Sequence, residues 1–405
     1  MKIFWRLVGF EYKKILCKKS VIIVLVLAVI AIAVSVWGTL FGNYYIGGEV
    51  FESNYDAMVK DRSYARTLSG REIDPKLIME TAEAYSKIPK KDRYYDTPEY
   101  QAFARKYSGI YGIVRPIYNS ESRRFNMEDF QLLTVEQAAG FYDLRHSRQV
   151  QALEETRMSG KAKEKVIALD EQIKTPFTFS YTDGYTRFFT LMYTVGLMAA
   201  FVMAICIAPI FSGEYASGAD QLILASKYGK NMLITAKLFT GFTITSAICL
   251  ALTATNYILT ILTFGSDGLN SQLQLYYPMS PYPLTMGQTA LLFSICVFFA
   301  CLMTAAITML LSAKFKSAYG VIILISLILI VPMFINVTYD RIWLYNLLHL
   351  LPSGMMEFGS VTSPIQYELS GVIVKPYVFL PLFAAVAGIL VTPFAYRSFK
   401  THQIV

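Results

Sequence analysis

The side chains that most often carry chemistry are sparse in this sequence. Its three histidines, His146, His349 and His402, stand too far apart to read as a histidine-based site. No His-Glu-x-x-His, Gly-x-Ser-x-Gly or Gly-x-Gly-x-x-Gly run occurs, so zinc-hydrolase, serine-hydrolase and dinucleotide patterns are missing. A nucleotide-phosphate loop is missing too. The nearest fragment, Gly229-Lys230-Asn231, has neither the upstream glycine nor the hydroxyl that would hold phosphate and magnesium. The expectation is a non-catalytic chain with no catalytic residue, metal site or cofactor of its own. Cys17, Cys206, Cys249, Cys296 and Cys301 form no Cys-x-x-Cys pair, and none falls in the long polar segment, so they read as small hydrophobes rather than a disulfide framework.

The elements that carry the remaining polar groups are apolar runs. Of 405 residues, 54% are hydrophobic and 16% charged, with a mean hydropathy of +0.41, which is the composition of a membrane protein. The net charge of +8 does not indicate nucleic-acid binding. Residues 42–186 hold 21 Lys/Arg against 22 Asp/Glu, so the excess lies beside the apolar runs, where it orients a membrane protein. Six runs at 21–41, 188–211, 232–264, 286–311, 319–337 and 377–396 are long enough to cross a bilayer core of about 30 Å as helices. The fold expected is therefore an all-α polytopic membrane protein with six spans.

With the N-terminus inside, basic residues such as Lys2, Arg6, Lys13, Lys14, Lys18, Lys19, Lys227, Lys230 and Lys314 fall on the cytoplasmic side. The short outer loops then keep only Arg341 and Lys375. The division that follows is a cytoplasmic interfacial amphipathic helix over 1–19, a first span over 20–41, a large helical extracellular domain over 42–186, a core of five spans over 187–400 and a cytoplasmic tail over 401–405. In the interfacial helix Phe4, Leu7, Val8, Ile15 and Leu16 face the oil and Lys2, Arg6, Lys13 and Lys14 the headgroups. In the outer domain helical spacing predicts one helix over 75–88 and another from 150 to 173, closed by Pro176. The tail after it alternates Phe177, Phe179 and Tyr181, and predicts an extended lead whose aromatics form an interfacial belt or a substrate-facing lip.

Inside the spans the only ionisable residue is Lys237, near the start of the third run. The interior otherwise offers hydroxyls and amides, of which Thr253, Asn256, Thr304 and Thr308 are candidates to line a substrate pathway and are otherwise helix-packing groups. Ion-driven carriers use buried carboxylates, histidines or lysines at the midplane. Their scarcity here predicts that energy arrives from a partner.

The loop at 212–231 carries the most specific pattern: Glu214 closing the second span, Gly218 four residues on, apolar Leu222 and Leu224, basic Lys230 in a turn and Lys237 opening the third span. With the order of parts around it, this resembles the type-2 ABC transporter permeases. The resemblance covers the membrane half by architecture and this loop by motif; Ser226 to Gly229 depart from the common version. A short segment around 344–352, within the connection 340–375, resembles the outer re-entrant helix of such permeases.

The resemblance implies that a helix at about 213–226 is a coupling helix docking on an ATPase, with Glu214, Gly218, Leu222, Leu224, Lys230 and Lys237 as the coupling residues. It also implies two copies of a separate ATPase subunit that binds ATP and Mg, a second permease of the same or a homologous chain, and export of a hydrophobic or amphipathic molecule such as a peptide antibiotic or drug. The alternative expectation is a membrane sensor or scaffold whose outer domain detects an antimicrobial peptide or envelope signal without moving it.

Overall fold

The computed structural model describes residues 2–90, 93–119, 124–337 and 341–402. Residues 403–405 of the expected tail and the start of the expected 340–375 segment lie outside them.

The chain begins with α1 (Lys2–Leu16) and the apolar α2 (Lys19–Trp37). A hairpin of β1 (Asn43–Ile46) and β2 (Glu49–Ser53) opens the insertion. It continues through α3 (Asn54–Leu68), α4 (Pro75–Ser86), α5 (Ser108–Tyr118), α6 (Met127–Gln131), α7 (Val135–Ala139), α8 (Phe141–Glu154) and α9 (Gly160–Asp170). The core follows with α10 (Asp183–Ile207), α11 (Pro209–Ser217), α12 (Ala219–Ala225), α13 (Ile234–Phe264), α14 (Met286–Lys314) and α15 (Ala318–Ile330). The short helices α16 (Ile342–His349), α17 (Pro352–Met355) and α18 (Phe358–Val361), a hairpin of β3 (Tyr367–Leu369) and β4 (Val372–Val374), and α19 (Pro376–Lys400) complete it.

Among the described residues five helices are long and apolar enough to cross a membrane: Lys19–Leu40, Asp183–Ser217, Gly229–Phe264, Met286–Lys314 and Pro376–Lys400. The sixth run, expected at 319–337, gives only the shorter apolar helix Ala318–Phe334. Pro332 has no N–H to extend the α-helical ladder, and the chain tightens into a 3-10 turn at Val331–Phe334 before leaving the helix. On α2 a single stripe of Val21, Ala28, Ile32 and Val36 is buried, against α10 and α13. Ile22, Ile23, Val26, Leu27, Ile30 and Val34 point outward uncovered, as do Leu250, Ile258 and Leu262 on α13 and Val386, Ile389 and Leu390 on α19. A rim of apolar side chains of this kind belongs in hydrocarbon.

α14 lies at the centre, packed on α10, α13 and α19. Gly241 on α13 lets Met309 of α14 approach, since a Cβ there would stand 2.4 Å from its sulfur. At the insertion end Trp37 donates to Thr263 Oγ1 at 3.0 Å and Arg66 pairs with Asp267 at 2.8 Å, tying α2, α3 and α13 together.

The insertion shares its core with the rest of the molecule. Most of its buried side chains, Leu77, Ile78 and Phe177 among them, form one contiguous apolar cluster with those of the long helices, while Leu153, Met158, Ala162 and Val166 form a second cluster with Tyr345 and Ile365. Arg145, 3% exposed, pairs with Asp170 at 2.8 Å and donates to the carbonyls of Pro278 and Ser280 in the loop after α13. The helix expected from 150 to 173 is in fact two. Ser159 caps α9 by accepting from Ala162 N at 3.2 Å, and a cap requires non-helical backbone before it. The helix expected over 75–88 is present as α4, opened by the Asp74 cap and Pro75.

Phe177, Phe179 and Tyr181 are neither a belt nor a lip. Phe177 O accepts from Ile73 N at 2.8 Å and Phe179 exchanges hydrogen bonds with Gly70 and Arg71. All three rings are buried at 0%, 4% and 3% exposure. Alternation placed them on one side of an extended strand, but helices of the insertion pack there and make it core: the Tyr142 ring of α8 lies 5.1 Å from Phe177, and Phe179 lies against Gly109 of α5.

Glu80 of α4 lies beside Arg71, at 3.2 and 2.5 Å, and accepts from the Tyr107 hydroxyl at 2.6 Å. Hydrogen bonding to the Arg71 guanidinium holds its carboxyl down from 4.5 to about 2, against the opposing effect of burial. A folded value below the ordinary one means that this contribution to stability is present above pH 4.5 and is lost as pH falls toward 2. Denaturant titrations followed by circular dichroism are expected to show Glu80→Gln weaker at neutral pH, with a flatter acid response in that window than the native chain.

Candidate functional site

Three groups of residues could do work: the elbow between α11 and α13, the polar groups inside the helix bundle, and a cavity at the opposite end.

At the elbow, the second long helix continues through Pro209 into α11. Pro209 cannot bond the carbonyl of Ile205, and the ladder is repaired from outside. Ser312 of α14 accepts from Phe211 N and Ser212 N, both at 3.0 Å, and donates to Ala208 O. Because Ser312 is fully buried, Ser312→Ala is expected to strand two donors and to lower stability by about 2 kcal/mol. The thermal unfolding midpoint of the chain in lipid nanodiscs reads this.

The helix expected over 213–226 is broken. Gly218 takes a left-handed φ of +67° between α11 and α12, which ends the first helix and turns the chain into the second. Gly229 packs against the carbonyl of Ile223, where a Cβ would stand 1.6 Å away. The return of the elbow therefore admits no side chain at that position. Leu224 is buried, while Leu222 is 77% exposed at the tip. Lys230 lies in the π-helical turn Gly229–Leu233, its carbonyl accepting from Tyr396 at 3.2 Å.

Glu214 and Lys237, expected as separate coupling positions, are in direct contact. Lys237 Nζ stands 2.6 Å from Glu214 Oε1 and 2.9 Å from Glu11, and Lys14 pairs with the same oxygen of Glu214. Lys237 is 0% exposed, Glu11 2% and Glu214 3%. Two cations and two anions thus alternate in a cluster, buried except for the partly exposed Lys14, that welds α1 to α11 and to the start of α13. The Tyr12 hydroxyl adds a hydrogen bond to Thr243, and Phe4 and Trp5 stack edge-on against Phe239.

The sequence reading overlooked Glu11. Its signal was legible, as the lone acid on a basic helix and the natural partner for a lysine inside an apolar run. The expected orientation of α1 changes accordingly. The side turned to the bundle is Val8, Glu11 and Ile15, while Trp5 and Phe10 stay exposed.

Within the bundle, Asn256, Thr304 and Thr308 are fully buried and Thr253 half-buried. Thr304 and Thr308 return their hydroxyls to the carbonyls of Ala300 and Thr304, at 2.8 and 2.7 Å, which satisfies them within α14. Asn256 donates to Phe188 O at a long 3.4 Å, and its Oδ1 is buried without a hydrogen-bond partner among the described residues. Apart from the bond from Thr308 to the Thr304 carbonyl within α14, no hydrogen bond joins the four to one another among the described residues, so they do not assemble into one polar site.

At the insertion end a cavity of about 660 Å³ opens between α10, the end of α15 and the short helices α16 to α18. Phe189, Tyr193, Tyr276, Tyr277 and Phe358 supply aromatic walls, with His349, Ser353 and Glu357 among them.

No family model matches the chain, and neither a curated protein nor a solved structure matches it.

Proposed function

We propose that the chain is the membrane subunit of an ATP-driven exporter, of the kind the type-2 ABC permeases represent, working as a pair with two separate ATPase subunits. The observation that carries this reading is the cluster of buried Glu11, Glu214 and Lys237 with the partly exposed Lys14. It fastens the elbow to α1 and to the third long helix, so a push on the exposed tip at Leu222 moves the bundle instead of being lost in a loose loop. A cluster that holds its charges in contact is suited to passing on force and not to carrying protons across the bilayer.

In this reading α15 with its 3-10 extension is a sixth, short span, the termini and elbow are cytoplasmic, and the insertion over 42–186 is extracellular. The substrate is hydrophobic or amphipathic, in keeping with a bundle interior of aromatics, hydroxyls and amides. ATP and Mg belong to the partner.

The test is reconstitution of the chain in proteoliposomes with the ATPase subunits encoded beside it. ATP hydrolysis stimulated by the chain and by substrate supports the reading. Absence of association and of stimulated hydrolysis rejects it and favours a sensor without transport.

A further inference from the structure

We propose that the 660 Å³ cavity at the insertion end is a binding site for an amphipathic organic cation, a molecule with one positive charge on a bulky apolar body. A volume of that order accommodates a small-molecule ligand. It exists because α15 stops early. Pro332 ends the helix and the chain leaves it through Met333, Ile335 and Asn336, which form one wall where a full-length span would have packed against α10.

The opposite wall is aromatic and held rigid. Phe358 packs 5.2 Å from Phe189, 5.1 Å from Tyr276 and 5.6 Å from Phe293, so ring faces stand fixed in front of an incoming ligand.

The charge of the lining decides the class. Among the described residues no Lys or Arg lines the cavity, and the one carboxylate that does, Glu357, has no Lys or Arg partner. His349 gives its Nδ1 proton to the carbonyl of Tyr345 at 2.6 Å, since a carbonyl can only accept. Its Nε2 stands 3.8 Å from Glu357, beyond hydrogen-bond reach. The carboxylate is therefore left facing the cavity beside π-faces that attract cations.

A second observation points to a ligand. Ser353, 1% exposed, lines the cavity with a buried hydroxyl that has no hydrogen-bond partner among the described residues. Such a group either costs stability or waits for a partner. An anion could accept from the Ser353 hydroxyl but would face the Glu357 carboxylate with no Lys or Arg in the described lining to hold it, and a plain hydrocarbon would leave both Glu357 and Ser353 without use. The inference stands apart from the transport reading, because binding here requires no ATPase.

Tetraphenylphosphonium and tetraphenylborate have nearly the same shape and opposite charge, which makes them the probes. With the full chain in lipid nanodiscs and empty nanodiscs subtracted, the expected result is saturable binding of the phosphonium and none of the borate. Glu357→Gln and Tyr193→Ala are each expected to weaken it at least tenfold while the unfolding midpoint stays that of the native chain. Equal saturable binding of both ions, no saturable binding of the phosphonium, or an unchanged affinity in Glu357→Gln overturns the proposal. Glu357 is half exposed, so that variant keeps the test decisive even where Tyr193→Ala disturbs folding.

Discussion

Replacing Lys237 with methionine is expected to destabilise the chain by about 3–5 kcal/mol, the largest loss of any single substitution in the elbow. The reason is what the lysine leaves behind. Glu214 keeps Lys14 as a partner, but Glu11 pairs with no cation other than Lys237 among the described residues and is 2% exposed. Its carboxylate would be buried with no countercharge in reach, and breaking a buried pair from one side costs more than the pair contributes when whole. Adding Glu11→Gln to Lys237→Met removes the orphaned charge and should recover a good part of the loss, whereas Glu214→Gln in the same background should recover less. Thermal unfolding of the three variants in nanodiscs decides it. An unchanged midpoint for Lys237→Met would mean that Glu11 reaches water and that the cluster does not clamp α1 to the bundle.

The second large effect concerns activity and leaves the fold alone. Leu222→Glu is expected to reduce partner-stimulated ATP hydrolysis at least tenfold while the unfolding midpoint of the isolated chain does not move. Leu222 is 77% exposed on α12, so its replacement disturbs no packing. An apolar side chain at the tip of a rigid element is the kind of anchor that carries a disproportionate share of docking energy, often about 2 kcal/mol or more, and tenfold corresponds to about 1.4 kcal/mol. Leu224, one position from the tip's opposite side, is buried. Its replacement should lower stability and coupling together, so comparing the two variants separates docking from folding. Normal coupling in Leu222→Glu would remove α12 from the interface with the ATPase.

Much of the architecture was legible before any coordinates. Apolar runs of 20 residues or more are unambiguous, because a backbone in hydrocarbon has no alternative to the helix, and five of six runs formed helices of spanning length. The sixth fell short through Pro332, a local signal visible in the sequence but outweighed there by composition. The break at Gly218 and the cap at Ser159 likewise left marks in the sequence, yet apolar spacing ran straight across both. Spacing records which side of a helix is oily and does not record whether the helix is continuous.

What the sequence determined by itself is the inventory: which segments are apolar, which positions stay polar within them, and that no nucleotide loop or recognisable catalytic motif is present. Only the tertiary structure decided who meets whom. Glu11 and Lys237 are separated by 226 positions, and Phe177 meets its partner Ile73 from the other end of the insertion. Each of these contacts turns a residue that reads as surface into core, because burial is a property of the partner segment and not of the residue. The cavity at Glu357 is the same lesson in reverse, a space defined by the place where one helix stops, which no pattern of residue types along a single segment records.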